Sequence, residues 1–222
     1  MKYILLFLAV AVGYLIALLV KTKKIKLMPV FLAFSGAFLL SITLFNLLPE
    51  VFETPSNNIG VYIMSGILLQ IFLEFFSKGA EHGHVHLPSQ KLVFPWLLFF
   101  SLSIHSLLEG FPISEDNNLL IGIIVHKIPI AVILSLFFIN ANYKMRTTLV
   151  FLFLFSIMTP LGSWISINYE FIQVYKTQLT AVSIGIFLHV STTILFESSK
   201  DHKFDLSKMS AVVTAIILAY FL

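Results

Sequence analysis

The stretch His105-Ser106-Leu107-Leu108-Glu109-Gly110 sets an imidazole and a carboxylate four residues apart, and Val125-His126-Lys127-Ile128-Pro129 adds a second imidazole one apolar stretch later. Residues i and i+4 share one face of a helix, so His105 and Glu109 can hold a single cation between them. Imidazole nitrogen with carboxylate oxygen is a borderline donor set, suited to Zn²⁺ and its neighbours rather than to Mg²⁺ or Ca²⁺. The chain has no cysteine, which removes thiolate ligation, disulfides and thiol redox chemistry from consideration. Any metal must use His, carboxylate or water.

These residues lie in an unusually apolar chain. Of 222 residues, 58% are hydrophobic and 11% charged, with a mean hydropathy of +0.96, whereas soluble domains carry about 25% charged residues. A water-soluble fold is excluded. Apolar runs between polar breaks give eight candidate spans: 3–20, 28–48, 59–76, 92–113, 119–139, 146–167, 177–196 and 206–222. Only helices satisfy their own backbone in lipid, and the period-2 alternation of a barrel is missing, so the expected fold is all-α and integral to the membrane. The loops are too short for a soluble domain, leaving one transmembrane domain over 1–222. The last span is the shortest, since Lys208 to Leu222 gives only about 22 Å of helix against about 30 Å of hydrocarbon.

Loops after the odd-numbered spans contain Lys21, Lys23, Lys24, Lys26, Lys78, Lys91, Lys144, Arg146, Lys200, Lys203 and Lys208, eleven of the fourteen basic residues. The other loops carry mainly Glu50, Glu53, Glu115, Asp116 and Glu170. By the positive-inside rule both termini are extracytoplasmic, in a plasma or inner cell membrane. The first positive cluster follows the first apolar run and no small-residue cleavage site is evident, so the first span is expected to be retained rather than cleaved. The net charge of +3 comes from these scattered loops, which fits membrane orientation and not nucleic acid.

With this orientation the fourth span ends and the fifth begins at the outer surface. His105 and His126 then lie level, each about 10–14 Å deep at 1.5 Å per residue. Ionisable groups at that depth are costly and usually face a cavity or a partner. A lone histidine there is as readily explained by a hydrogen bond to a neighbouring helix. His105, Glu109 and His126 at matched depth favour a three-ligand site with open positions. Pro129 frees the carbonyl of Val125, which could add a ligand or line a hydrated path.

Gly36-Ala37-Phe38-Leu39 in the second span is similar to Gly185-Ile186-Phe187-Leu188 in the seventh, each followed by Ser/Thr and an acidic end, Glu50 or Glu197. The two spans run in opposite directions, so the match suggests an inverted repeat of the kind found in transporters. Chance recurrence of small residues at helix contacts is the competing explanation.

Taken together, His105-Ser-Leu-Leu-Glu109-Gly110 and His126-Lys-Ile-Pro129 resemble the paired fourth- and fifth-span signature of the ZIP (Zrt/Irt-like) divalent-metal transporters. Leu47-Leu48-Pro49-Glu50, Thr159-Pro160-Leu161-Gly162 and Gly185-Ile-Phe-Leu188 are similar to that family's second, sixth and seventh spans. The resemblance implies an eight-helix bundle with inverted three-helix repeats, spans 1–3 and 6–8, around spans 4 and 5. It also implies uptake of a divalent cation, zinc foremost, through an intramembrane site of His105, Glu109 and His126. Relatives with two adjacent metals carry further ligands where this chain has Ser106, Lys127 and Ile130. The second metal position is thus expected to be lost, with the Lys127 ammonium as its substitute.

His82, His84 and His86 form an alternating tract within the 77–91 loop, which the charge count makes cytoplasmic. Such tracts bind metal weakly, and many ZIP proteins resemble this one in having a His-rich loop here; a solvated loop with incidental histidines explains the tract equally well. Gln70, Glu74 and His189 are candidates to line the path, Asn46 stands where relatives often carry His, and Ser41, Thr43, Thr192 and Thr193 are expected to bond between helices. Glu50, Glu53, Glu115 and Asp116 could concentrate cations at an outer mouth. No phosphate loop occurs, so ATP is not the driver. His and Glu bind metal only when deprotonated, so uptake is expected to fall in acid. The expected function is divalent-metal import by alternating access, with no enzyme activity and no cofactor, the metal being substrate. Its partners are the metal ion and the bilayer, with a homodimer as an option. The alternative is an intramembrane zinc-dependent hydrolase, but no H-E-x-x-H occurs and Lys127, not Glu, follows His126. A bis-His haem site on His105 and His126 is a third reading, disfavoured by the adjacent Glu109.

Overall fold

The structure is a computed structural model that describes residues 2–20, 27–53, 58–77, 94–113, 118–197 and 206–222. Within these residues every regular element is helical. In chain order they are α1 (Lys2–Val20), α2 (Met28–Ile42), a π-helical turn (Thr43–Leu47), α3 (Leu48–Glu53), α4 (Ile59–Ser77), α5 (Trp96–Gly110), α6 (Leu119–Asn140), α7 (Met145–Asn168), α8 (Glu170–Val174), α9 (Lys176–Glu197) and α10 (Leu206–Tyr220). Six helices are long and apolar enough to cross a bilayer: α1, the continuous Met28–Glu53 rod, α4, α6, α7 and α9. Leu19, Phe75 and Leu97 are among many large apolar side chains pointing outward, while Gln70, His105, Glu109, His126 and Lys127 are buried. That inside-out distribution is the one lipid selects.

Local sequence explains several boundaries. Pro29 occupies the first turn of α2, where its missing N–H costs nothing. Pro49 cannot donate to the carbonyl of Phe45 and its ring crowds it. The ladder just before it widens, with the Leu48 amide reaching the carbonyl of Thr43. The α6–α7 turn places Asn142 at φ 57°, a left-handed conformation that asparagine tolerates.

Two expectations from the sequence are revised. Over 94–113, the described part of the fourth apolar run, the helix extends from Trp96 to Gly110, 15 residues, as short as α10. Phe94 and Pro95 are non-helical at one end; at the other, Phe111 keeps helical angles as the C-cap, and Pro112, which has no N–H to donate to the carbonyl of Leu108, ends the helix. The hydroxyls of Ser41, Thr43 and Thr192 donate to carbonyls of their own helix, at Ala37, Leu39 and Leu188. A serine or threonine satisfied by its own preceding turn needs no neighbour. Among the described residues, hydroxyls that cross between helices include Ser101 to the carbonyl of Leu73, Thr159 to that of Ser106, Ser166 to that of Phe111 and Ser183 to that of Leu108.

The most extensive helix contacts pair α4 with α9, α1 with α6, α10 with α2 and α5 with α7. On the α5–α7 crossing Gly110 meets Gly162. A Cβ on either would collide with facing backbone, the carbonyl oxygen of Thr159 or that of Leu107. This close approach brings α7 against the functional face of α5. Phe99, Leu102, Leu134, Phe138, Phe151 and Phe155 fill the core beside it.

Candidate functional site

His105 and Glu109 stand one turn apart on the buried face of α5, and His126 and Lys127 on the buried face of α6. All four are at most 4% exposed. One donor atom each from His105, Glu109 and His126 can be chosen so that all lie within 4.8 Å of one another, and the two imidazole centroids are 6.4 Å apart. A cation at their centre would reach all three after small side-chain adjustments, since Zn–N and Zn–O bonds are about 2.0–2.2 Å.

The two oxygens of Glu109 have different surroundings. Oε2 lies 3.0 Å from the Lys127 ammonium and 3.2 Å from the Thr159 hydroxyl. That hydroxyl also reaches the Ser106 carbonyl at 2.9 Å, so its single proton is divided between two acceptors. Oε1 is buried without a hydrogen-bond partner among the described residues. A carboxylate oxygen left dry and unpartnered is costly unless something cationic meets it.

Lys127 is as deeply placed as its partner. Its ammonium also donates to Ser106 Oγ at 2.9 Å and lies 4.6 Å from the centroid of the Phe155 ring, close enough for a cation–π contact. A buried charge pair survives when further hydrogen bonds compensate lost hydration. A small cavity remains between these groups, also lined by Leu102, Ile130 and Phe155.

Behind His105, the Gln70 side-chain oxygen lies 3.0 Å from Nδ1. One turn along α4, Glu74 meets His189 Nε2 of α9 at 2.6 Å, both partly exposed. Gln70 thus meets His105 across α4 and α5, and Glu74 meets His189 across α4 and α9. Asn46 is half-buried in the π-helical turn, and Glu50 and Glu53 are exposed at the end of the second rod. His82, His84, His86, Glu115 and Asp116 lie outside the described residues.

Sequence reasoning missed Phe155 altogether and took Thr159 only as part of a motif. Their partners sit on another helix, so no spacing within α7 announces them. Gln70 carried a signal, as the one amide side chain in a largely apolar run, without indicating its partner.

A family model described as ZIP Zinc transporter matches residues 77–222, a stretch holding all four site residues. The chain belongs to the ZIP zinc transporter family. Protein zntD of Dictyostelium discoideum is 29% identical over 147 residues, covering 56% of this chain and 22% of that protein. Zinc transporter ZIP1 of Danio rerio is 33% identical over 93 residues, covering 39% of this chain and 31% of that protein. The matched stretches thus span less than a third of either relative. The stretch matched by the ZIP family model includes the whole α5–α6 cluster.

Proposed function

We propose that this ZIP family member imports a divalent cation, zinc foremost, toward the cytoplasm through His105, Glu109 and His126. The observation that carries the proposal is the divided carboxylate of Glu109. One oxygen is held by Lys127 and Thr159, and the other is buried, lacks a hydrogen bond and belongs to a group with two imidazoles. The site therefore takes one ion. Lys127 supplies a positive charge where two-metal relatives hold a second cation, and it holds one oxygen of Glu109 in place at 3.0 Å.

The membrane frame for this reading has eight spans: α1, the α2–α3 rod, α4, α5, α6, α7, α9 and α10, with both termini extracytoplasmic and one transmembrane domain over the chain. The helix pairing supports an inverted repeat. Exchanging α1 with α7, α2 with α9, α4 with α10 and α5 with α6 turns the α1–α6 contact into α7–α5 and the α4–α9 contact into α10–α2. Transport by alternating access follows from such a repeat. The 77–91 loop, with His82, His84 and His86, is assigned to capture metal after release.

Zinc influx into proteoliposomes loaded with a metal-sensing dye tests the reading. Saturable influx by the unaltered protein, lost in both His105→Ala and His126→Ala, is the expected result. Tight zinc binding without influx, or influx untouched by both substitutions, would overturn it.

A further inference from the structure

Gln70 is fully buried on α4, and its side chain makes a 3.0 Å contact with a proposed metal ligand on another helix. A neutral imidazole carries one proton, on either Nδ1 or Nε2, and only the bare nitrogen can bind a metal. The Gln70 atom facing Nδ1 is the amide oxygen, which accepts and never donates. The His105 hydrogen is therefore on Nδ1, and Nε2 is left with its lone pair. Gln70 thus favours one of the two tautomers and holds the ring at Nδ1.

We infer that Gln70 is the positioning residue of the transport site: it locks His105 in the tautomer and ring orientation that bind metal, and it does so from a helix that supplies no metal ligand. The inference rests on the reading of His105, Glu109 and His126 as the transport site. Glu109 needs no such partner, being fixed from its own side by Lys127 and Thr159.

The location of Gln70 adds a consequence. The proposed ligands stand on α5 and α6, whereas α4 packs most extensively on α9. A change in the α4–α5 contact would break the bond to Nδ1 and lower metal affinity with no ligand displaced. The Ser101 hydroxyl, donating to the Leu73 carbonyl, pins the same two helices about one turn from Gln70. Affinity is therefore tied to the seating of α4 on α5, as a carrier that must release its cargo requires.

The test compares zinc influx in proteoliposomes for the unaltered protein, Gln70→Met, Gln70→Glu and His105→Ala, with Co²⁺ absorption spectra of the same purified proteins. Methionine keeps the length and removes the acceptor. Glutamate keeps an acceptor and creates the carboxylate–histidine–metal arrangement common in metalloproteins. The expected result is a half-saturating zinc concentration raised about tenfold or more in Gln70→Met, the usual loss when such a partner is removed. Its maximal rate should change far less, and its Co²⁺ spectrum should weaken at equal metal. Gln70→Glu should half-saturate at or below the unaltered concentration. Unchanged half-saturation in Gln70→Met overturns the inference. Equal loss in Gln70→Met and Gln70→Glu also overturns it, because it would make the amide a donor or a packing group. His105→Ala separates the two levels. If it is inactive while Gln70→Met behaves normally, only the role of Gln70 falls; if it imports zinc normally, the site assignment falls with it.

Discussion

Lys127 and Glu109 hold each other at 3.0 Å with both side chains buried. Removing one member of such a pair strands the other, at a cost of about 3–5 kcal/mol. Lys127→Ala should therefore lower the melting temperature of the metal-free protein in detergent, and zinc should recover more of that loss than it adds to the unaltered protein, because the ion would become the sole countercharge of Glu109. Equal zinc-induced stabilisation in both proteins would remove Lys127 from the electrostatics of the site. At this scale the sequence was readable wherever chemistry followed a helical period. His105 and Glu109 share a face by spacing, and His126 joins them by depth. Thr159, Phe155 and the partner of Gln70 were not readable, because each meets the site across a helix crossing whose angle and offset leave no mark on local spacing.

The α5–α7 crossing is the element on which the site depends, because it brings Thr159 to Glu109 and Phe155 to Lys127. Gly162→Ala would drive a methyl into the carbonyl of Leu107, with backbone on both sides and no side chain free to yield. Overpacking of this kind costs about 1–3 kcal/mol. A lower melting temperature together with impaired zinc influx is expected. Gly60→Ala is the matched control. Its new methyl meets nothing within 4 Å, and replacing a helical glycine by alanine gains up to about 1 kcal/mol. Equal behaviour of the two variants in melting and influx assays would show that the crossing tolerates separation. The apolar runs located the helices well, but Phe94-Pro95 and Phe111-Pro112 shorten α5 to 15 residues inside a longer apolar stretch. Hydrophobicity marks what lies in lipid; proline and its neighbours decide where helical geometry stops. The π-helical turn before Pro49 was hidden for the same reason.

Under the proposed inverted repeat, one departure from two-fold helix pairing among the described residues falls beside the site. The α4–α5 contact, which carries Gln70 and His105, would map onto α10 with α6, a pair with no comparable contact among the described residues. Orientation decides which way such an asymmetric machine moves its cargo. The chain lacks cysteine, so single introduced thiols report sidedness without background. Gln173→Cys, on exposed α8, should react with an impermeant maleimide in intact cells, and Asn140→Cys, exposed at the end of α6, only after permeabilisation. The reverse pattern would invert the membrane frame and make the proposed importer an exporter. Both positions follow from a charge count that needs no coordinates, whereas the broken symmetry required the packed helices.

The most direct measurement is zinc X-ray absorption, with metal content determined, on the purified full chain carrying His82→Ala, His84→Ala and His86→Ala so that loop-bound metal is removed, beside the same chain with His126→Ala. One zinc per chain is expected, bound by two imidazole nitrogens and one carboxylate oxygen, with an imidazole lost in the variant. Two zinc ions per chain, or a coordination sphere unchanged in His126→Ala, would contradict a single-ion site built on His105, Glu109 and His126 beside the fixed charge of Lys127.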